Sequence, residues 1–166
     1  LCGEGRRVAS TGVDPEIPVI SIADLGILRD VVVAGDHVEV RITPTYTGCP
    51  AMNMIKAEIE QALATAGLAP VQVRLVLSPA WTTDWISDEG RRKMREYGMA
   101  SPGRCGAVSE SPIRIVRRQV APAPIVECPR CDSTNTERLS AFGSTACKAL
   151  YRCLACREPF EHFKPI

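Results

Sequence analysis

The sequence predicts an α+β fold, a small mixed sheet with helices, followed by a C-terminal β module. Three observations carry this. Stretches in which apolar and polar residues alternate, the period of a half-buried strand, mix without strict order with stretches of helical period. Ala121-Pro122-Ala123-Pro124 then interrupts the chain as a stiff, extended linker. Beyond it stand two cysteine pairs, Cys128-Pro129-Arg130-Cys131 and Cys153-Leu154-Ala155-Cys156, with 21 residues between them. The expected division is an α+β domain over residues 14–120 and a ribbon over 125–166.

Residues 1–13 hold three glycines and no apolar stripe, and are expected as a loose arm. Asp14-Pro15-Glu16-Ile17-Pro18 is extended, because each proline fixes its own φ and restrains the residue before it. Asp24-Leu25-Gly26 reads as a turn, Ile27-Leu28 and Val31-Val32-Val33 as a strand, and Ala34-Gly35-Asp36 as a hairpin turn. Val38, Val40 and Ile42 alternate with Glu39 and Arg41 in the returning strand. Met52, Ile55, Ile59, Ala62, Leu63 and Ala66 then fall on one helical stripe, and Gly67 suits the position after the helix. Val71, Val73, Leu75 and Leu77 alternate again. Ser87-Asp88-Glu89 opens a helix, with acids in its first turn, that Gly98 can end. Ile113 and Ile115 suggest one more strand.

The paired CxxC turns fit a structural zinc site formed by Cys128, Cys131, Cys153 and Cys156, each turn pointing two sulfurs at one ion. A forty-residue module buries too little apolar surface to fold unaided, so metal binding supplies folding energy. Apolar residues make up 45% of the 166, enough for a core without a disulfide scaffold, and paired thiols then point to a reducing, cytoplasmic setting. No stretch of about 18 apolar residues is present, nor an apolar segment after Arg6-Arg7, so neither a membrane partner nor a secretory signal is expected. Net charge is +1, and even the basic tail reaches only nine Lys/Arg against five Asp/Glu over residues 111–166, which argues against nucleic acid as partner.

Cys49 is the most informative single residue. Thr47-Gly48-Cys49-Pro50 lies where the strand ends and the helix begins, and a helix start lowers a thiol pKa. A reactive or metal-binding thiol and a small buried core residue are both open readings. Asp14, Glu16 and Asp24 suit metal binding, acid–base work or turn capping, and their proline-rich context favours capping. Trp81 and Trp85 either stack a ligand or cover an edge of the core, and aromatic burial favours the core. His37 falls in the hairpin. His162 lies in the closing ribbon strand, where it could replace a cysteine, although four sulfurs already satisfy zinc. Cys147 is a spare packed residue or alternative ligand, and Cys2 and Cys105 carry no signal. No Ser-His-Asp order, phosphate loop or dinucleotide-binding glycine run is present, so a self-contained enzyme is not expected.

Asp14-Pro15-Glu16-Ile17-Pro18-Val19-Ile20-Ser21-Ile22-Ala23-Asp24-Leu25-Gly26 and Thr45-Tyr46-Thr47-Gly48-Cys49-Pro50 resemble the SufT-like family of iron–sulfur assembly factors. With Ser78-Pro79-Ala80-Trp81-Thr82-Thr83-Asp84-Trp85-Ile86 and the two CxxC pairs, the resemblance narrows to the PaaD-like family. Its members are D components encoded with the multicomponent phenylacetyl-CoA epoxidase of bacterial phenylacetate degradation. The resemblance spans nearly all of residues 14–166. It implies a non-catalytic accessory protein that matures the metal centres of that system, in particular the iron–sulfur cluster of its reductase component. It assigns Cys49 as the reactive thiol contacting iron or a cluster transiently, Asp14 and Glu16 as the acidic motif beside it, and Cys128, Cys131, Cys153 and Cys156 as the ribbon ligands. Family members carry an N-terminal helix for which residues 1–13 show no stripe. One thiolate cannot hold a cluster, which needs about four ligands. Cys49 from two subunits of a homodimer, small thiols or partner side chains would complete the set. The rival readings are a structural subunit of the epoxidase complex, a nucleic-acid-binding ribbon and a thiol–disulfide oxidoreductase.

Overall fold

The computed structural model describes residues 2–68, 70–103 and 125–166, which fall into two units, Leu1–Tyr97 and Gly98–Ile166. The expected strand at Ile113 and Ile115, the Ala121–Pro124 linker and Cys105 lie outside the described residues. The first unit runs α1 (Cys2–Ser10), β1 (Val13–Asp14), β2 (Ile17–Ser21), β3 (Leu28–Ala34), β4 (His37–Ile42), α2 (Met52–Thr65), β5 (Val71–Leu75), a 3₁₀ turn (Thr83–Trp85) and α3 (Asp88–Tyr97). The second contains β6 (Thr136–Ser140), β7 (Lys148–Cys153) and β8 (Pro159–Phe163). Strands and helices are mixed without strict alternation, as expected for α+β.

β3 and β4 form an antiparallel hairpin through Gly35, whose φ of 66° suits glycine. β5 pairs with β4 in parallel, from Val38 opposite Val71 to Ile42 opposite Leu75. A parallel neighbour needs a crossover, and α2 supplies it. Met52, Ile55, Ile59 and Leu63 of α2 are buried, as are Val31, Val38, Val40, Ile42 and Val73 of the sheet, the alternate positions that face the helical layer. Gly67 ends α2 at φ 75°, with Leu68 N–H returning to Leu63 O at 3.0 Å. On the opposite face Glu39 is 6% exposed rather than solvated. Arg41 Nε donates to it at 2.7 Å and Arg74 at 3.3 Å, and this pairing, Arg41 first, holds its carboxyl below the usual range.

The loose arm expected over residues 1–13 is not found: α1 covers most of it and packs on β3 and α2. Its buried positions are Gly5 and Ala9, too small to register as an apolar stripe. They serve close approach instead. A Cβ on Gly5 would lie 3.3 Å from Val31 Cγ1 and 3.8 Å from Val38 Cγ1.

The turn after β2 anchors α3. Ser87 Oγ caps the helix by accepting from Gly90 N–H at 2.9 Å and donates to Asp24 at 2.8 Å, while Lys93 reaches the same carboxylate at 2.8 Å. Burial pushes the Asp24 carboxyl up, but the hydrogen bonds from Lys93, Ser87 and Ser21 outweigh it and leave the pKa lowered. Trp81 is 4% exposed and donates its indole N–H to Leu25 O at 3.0 Å, so it closes the core edge. The Arg29 guanidinium lies 3.6 Å from the Trp85 ring centre.

In the second unit β6, β7 and β8 form an antiparallel meander. Its core is small: Ala100, Val126, Cys128, Ala149, Tyr151, Cys153 and Phe160. Ala100 joins β8 by accepting from Phe163 N–H and donating to Glu161 O.

Gly26 has a φ of 76°, and a Cβ there would lie 2.7 Å from Trp85 Cβ and 2.9 Å from Trp85 O. Gly26→Ala therefore combines backbone strain with a clash against main chain and is expected to destabilise by about 2–4 kcal/mol. Gly35→Ala, with φ 66° and open space around it, should cost only about 1 kcal/mol. Denaturant unfolding followed by tryptophan fluorescence reads this unit directly, since Trp81 and Trp85 both belong to it. Equal costs would remove the close approach as the cause.

Candidate functional site

The chain leaves the C-terminal end of β4 and reaches α2 through residues 43–51. Gly48 and Cys49 both turn their N–H groups back to Tyr46 O, at 2.9 and 3.2 Å. Helix α2 starts at Met52, with Ala51 in the capping position at φ −67° and no side-chain cap. Cys49 and Pro50 thus precede the helix rather than beginning it. The sulfur still profits from the helix end, because the Ala51 N–H is among the influences that lower its pKa.

Asp14 and Glu16 lie on a separate turn, and their charges reach Cys49. Asp14 Oδ1 accepts from the N–H groups of Glu16 (2.8 Å) and Ile17 (3.0 Å), an Asx turn that shapes the corner between β1 and β2. Asp14 is 5% exposed; Glu16 is partly exposed and more accessible to a visitor. Cys49 itself is half-buried. Burial is the largest influence on its thiol and raises the pKa. The Ala51 N–H and Thr45 hydroxyl pull it down, the negative charges of Glu16 and Asp14 push it up, and the net shift is upward. The lowered pKa expected from a helix start is therefore corrected: the thiol is neutral in the resting site. Among the described residues only the C-terminal sulfurs lie close enough together to share one ion, so Glu16 and Asp14 act on Cys49 through charge, and a cation at the sulfur would reverse that balance and favour thiolate. Sequence reasoning misses Thr45 as a site residue. Its position four residues before Cys49 in the same loop is the available signal.

The C-terminal cysteines converge. Cys128 and Cys156 sulfurs are 3.8 Å apart, those of Cys131 and Cys153 are 3.6 Å apart, and all four lie within 4.8 Å of one another. Tetrahedral coordination at about 2.3 Å per zinc–sulfur bond requires sulfur separations of about 3.8 Å. The quartet therefore fits a metal ion of that kind. Cys128 and Cys153 are buried on the sheet side, and Cys131 and Cys156 are exposed. The N–H of Cys156 bonds to Cys153 sulfur at 3.4 Å and leads the influences that draw this thiol down to about 6. Cys156 is pulled down by Glu158 N–H, but burial and the three neighbouring sulfurs raise it to about 12. Four thiols this close cannot all ionise without a cation among them.

The other candidates separate clearly. Cys147 is 4% exposed, with Thr145 Oγ1 3.0 Å from its sulfur, and stands outside the quartet as a packed residue. His162 also stands outside it. Its Nδ1 lies 3.3 Å from Ala100 O and its ring meets Tyr151 edge-on, centroids 5.6 Å apart. Asp24 is engaged with α3.

Residues 10–75 match a family described as iron–sulfur cluster assembly protein, and residues 114–164 match one described as PaaD zinc beta ribbon domain. The chain is 48% identical over 153 residues to an Escherichia coli (strain K12) protein named as the D component of a "Putative 1,2-phenylacetyl-CoA epoxidase", covering 92% of this chain and 86% of that one. It is 35% identical over 85 residues to a protein of Porphyromonas gingivalis (strain ATCC BAA-308 / W83) named "Fe-S protein maturation auxiliary factor", covering 50% of this chain and 80% of that one. A crystal structure of a domain of unknown function, DUF59, from Bacillus anthracis superposes with a TM-score of 0.52 at 22% identity, over 56% of this chain and 90% of that one, a likeness of fold. An assembly domain followed by a metal-binding ribbon, with near full-length identity to the Escherichia coli protein, places this chain in the PaaD family of phenylacetyl-CoA epoxidase D components.

Proposed function

We infer that this chain is a non-catalytic maturation protein that holds iron or an iron–sulfur unit briefly at Cys49 and passes it to a recipient such as the reductase component of a phenylacetyl-CoA epoxidase. The observation that supports this is a half-buried thiol whose pKa is raised by burial and by the charges of Glu16 and Asp14 on a separate turn. A neutral thiol beside carboxylates binds little until a cation arrives, and then becomes a thiolate in a donor set too small to retain a cluster. The missing ligands come from the partner or small thiols, so release is built into the chemistry. The names of the relatives support this reading, and a cytoplasmic location accords with its free thiols. No helix among the described residues is long and apolar enough to cross a membrane.

Zinc is the metal that best suits the sulfur quartet, and Cys128, Cys131, Cys153 and Cys156 would hold it. Bound there, it supplies folding energy to a module with a very small core. The name of the Escherichia coli relative also supports a second role, as a structural part of the epoxidase complex. Stable co-purification with the oxygenase subunits favours that role, and transient association favours maturation.

Cys49→Ser should leave the fold intact and lower iron–sulfur loading of the reductase in cells to the level seen without this protein. Normal loading would remove Cys49 from the mechanism. Glu16→Gln removes a negative charge that disfavours the thiolate, so the Cys49 pKa falls and alkylation at pH 8 speeds up a few-fold. An unchanged or slower rate would show that Glu16 does not act on the sulfur. Purified protein should carry one zinc per chain, and Cys131→Ser should unfold the β6–β8 module while tryptophan fluorescence from the first unit is unaltered. A folded, metal-free module would contradict the zinc assignment.

A further inference from the structure

Among the described residues β5 is an edge strand of its sheet, paired with β4 alone. Val38 N–H donates to Pro70 O at 2.9 Å and Val76 N–H donates to Ile42 O at 2.8 Å. In a parallel ladder, therefore, residues 70, 72, 74 and 76 turn their main-chain groups toward β4. Val71, Val73 and Leu75 turn theirs to the open edge. Long open edges are normally blunted by lysine, proline, a bulge or a covering segment. Within the described residues of the first unit β5 has none of these: its register with β4 is unbroken, and Pro70 directs its missing N–H toward β4. Leu75 is 55% exposed and Leu77, just beyond, 62%.

The edge is complementary to itself. We propose that β5 pairs antiparallel with β5 of a second copy about Val73, joining two three-stranded sheets into one of six strands. In this register Val73 faces its own counterpart, and Val71 faces Leu75 of the second copy. All are residues whose N–H and C=O point outward, so each facing pair exchanges two hydrogen bonds. On the helix-covered face exposed Leu75 is covered by the other copy's Val71. On the other face Arg74 meets Gln72, whose amide oxygen accepts from the guanidinium, and no arginine faces its own copy. A client segment adding to the same edge would meet none of these two-fold constraints. Because the strands run opposite ways, the C-terminal ends of the two β4 strands lie at opposite ends of the joined sheet. The two Cys49 loops are then separate, and each copy keeps its own site instead of sharing a cluster through this interface.

The test uses the full chain. Sedimentation should show a monomer–dimer equilibrium, and hydrogen exchange at Val71, Val73 and Leu75 should slow as protein concentration rises. Leu75→Lys and Gln72→Arg replace exposed side chains; the first puts a charge against Val71 and the second sets arginine against Arg74 twice per dimer. Each should raise the dissociation constant about tenfold or more. Unfolding curves of both variants confirm that the monomer is intact. A monomer at every concentration, a dimer indifferent to both substitutions, or protection of these amides only when an iron–sulfur recipient is added would overturn the proposal. Iron–sulfur loading by the dissociated variants reads the Cys49 role independently of this interface.

Discussion

The parallel pairing of β4 with β5 is the constraint on which the rest of the first unit depends. β4 is the central strand, with Val40 and Ile42 fully shielded from solvent. Its antiparallel neighbour needs only a tight turn. Its parallel neighbour needs a crossover, and a crossover needs a loop leaving the C-terminal end of the strand and a helix to bring the chain back. That loop carries Cys49 and that helix provides the Ala51 N–H that meets the sulfur. The apolar stripe of α2 then holds the helix on the sheet, which fixes where the loop can go. The site is a consequence of topology before it is a matter of particular side chains.

Electrostatics gives the site its character. A thiol at a helix start usually gains acidity, yet here burial and two carboxylates outweigh the amide and hydroxyl donors. The Asp14 carboxylate is tied into its own turn and sets the corner from which the Glu16 charge acts on the sulfur. The same negative charge that discourages a bare thiolate attracts a cation. On the maturation role proposed above, a site that ionises only as cargo arrives would suit temporary possession. It contrasts with the C-terminal quartet, where four sulfurs crowd within bonding range of one ion and leave no position open. The quartet suits retention of an ion and the single Cys49 does not, and the difference lies in ligand number and surroundings.

Much of this is legible in the chain itself because it rests on local rules. The β3–β4 hairpin, the α2 stripe ending at Gly67, the Ser87 cap and the CxxC pairs all depend on residues close in sequence. The N-terminal helix is not legible, because its buried positions are glycine and alanine, and small residues chosen for close approach look like flexible chain. Glu39 looks like a solvated strand residue, because the arginine that completes its pairing comes from β5, 35 positions away. The Cys49 pKa goes the other way from its local context because burial, the largest influence, depends on the packing around the loop, and the opposing charges belong to another turn.

What the sequence determined alone was periodicity, punctuation and ligand spacing: which segments become strands or helices, where they stop, and which four sulfurs can share an ion. These follow from short-range sterics and the fixed repeats of helix and strand. The tertiary structure decided everything that depends on residues far apart meeting across space. It set the acidic charges that reach Cys49, the burial of Glu39 and the seating of α1 on the sheet. Charge, desolvation and close approach act through distance in space, which no local pattern encodes.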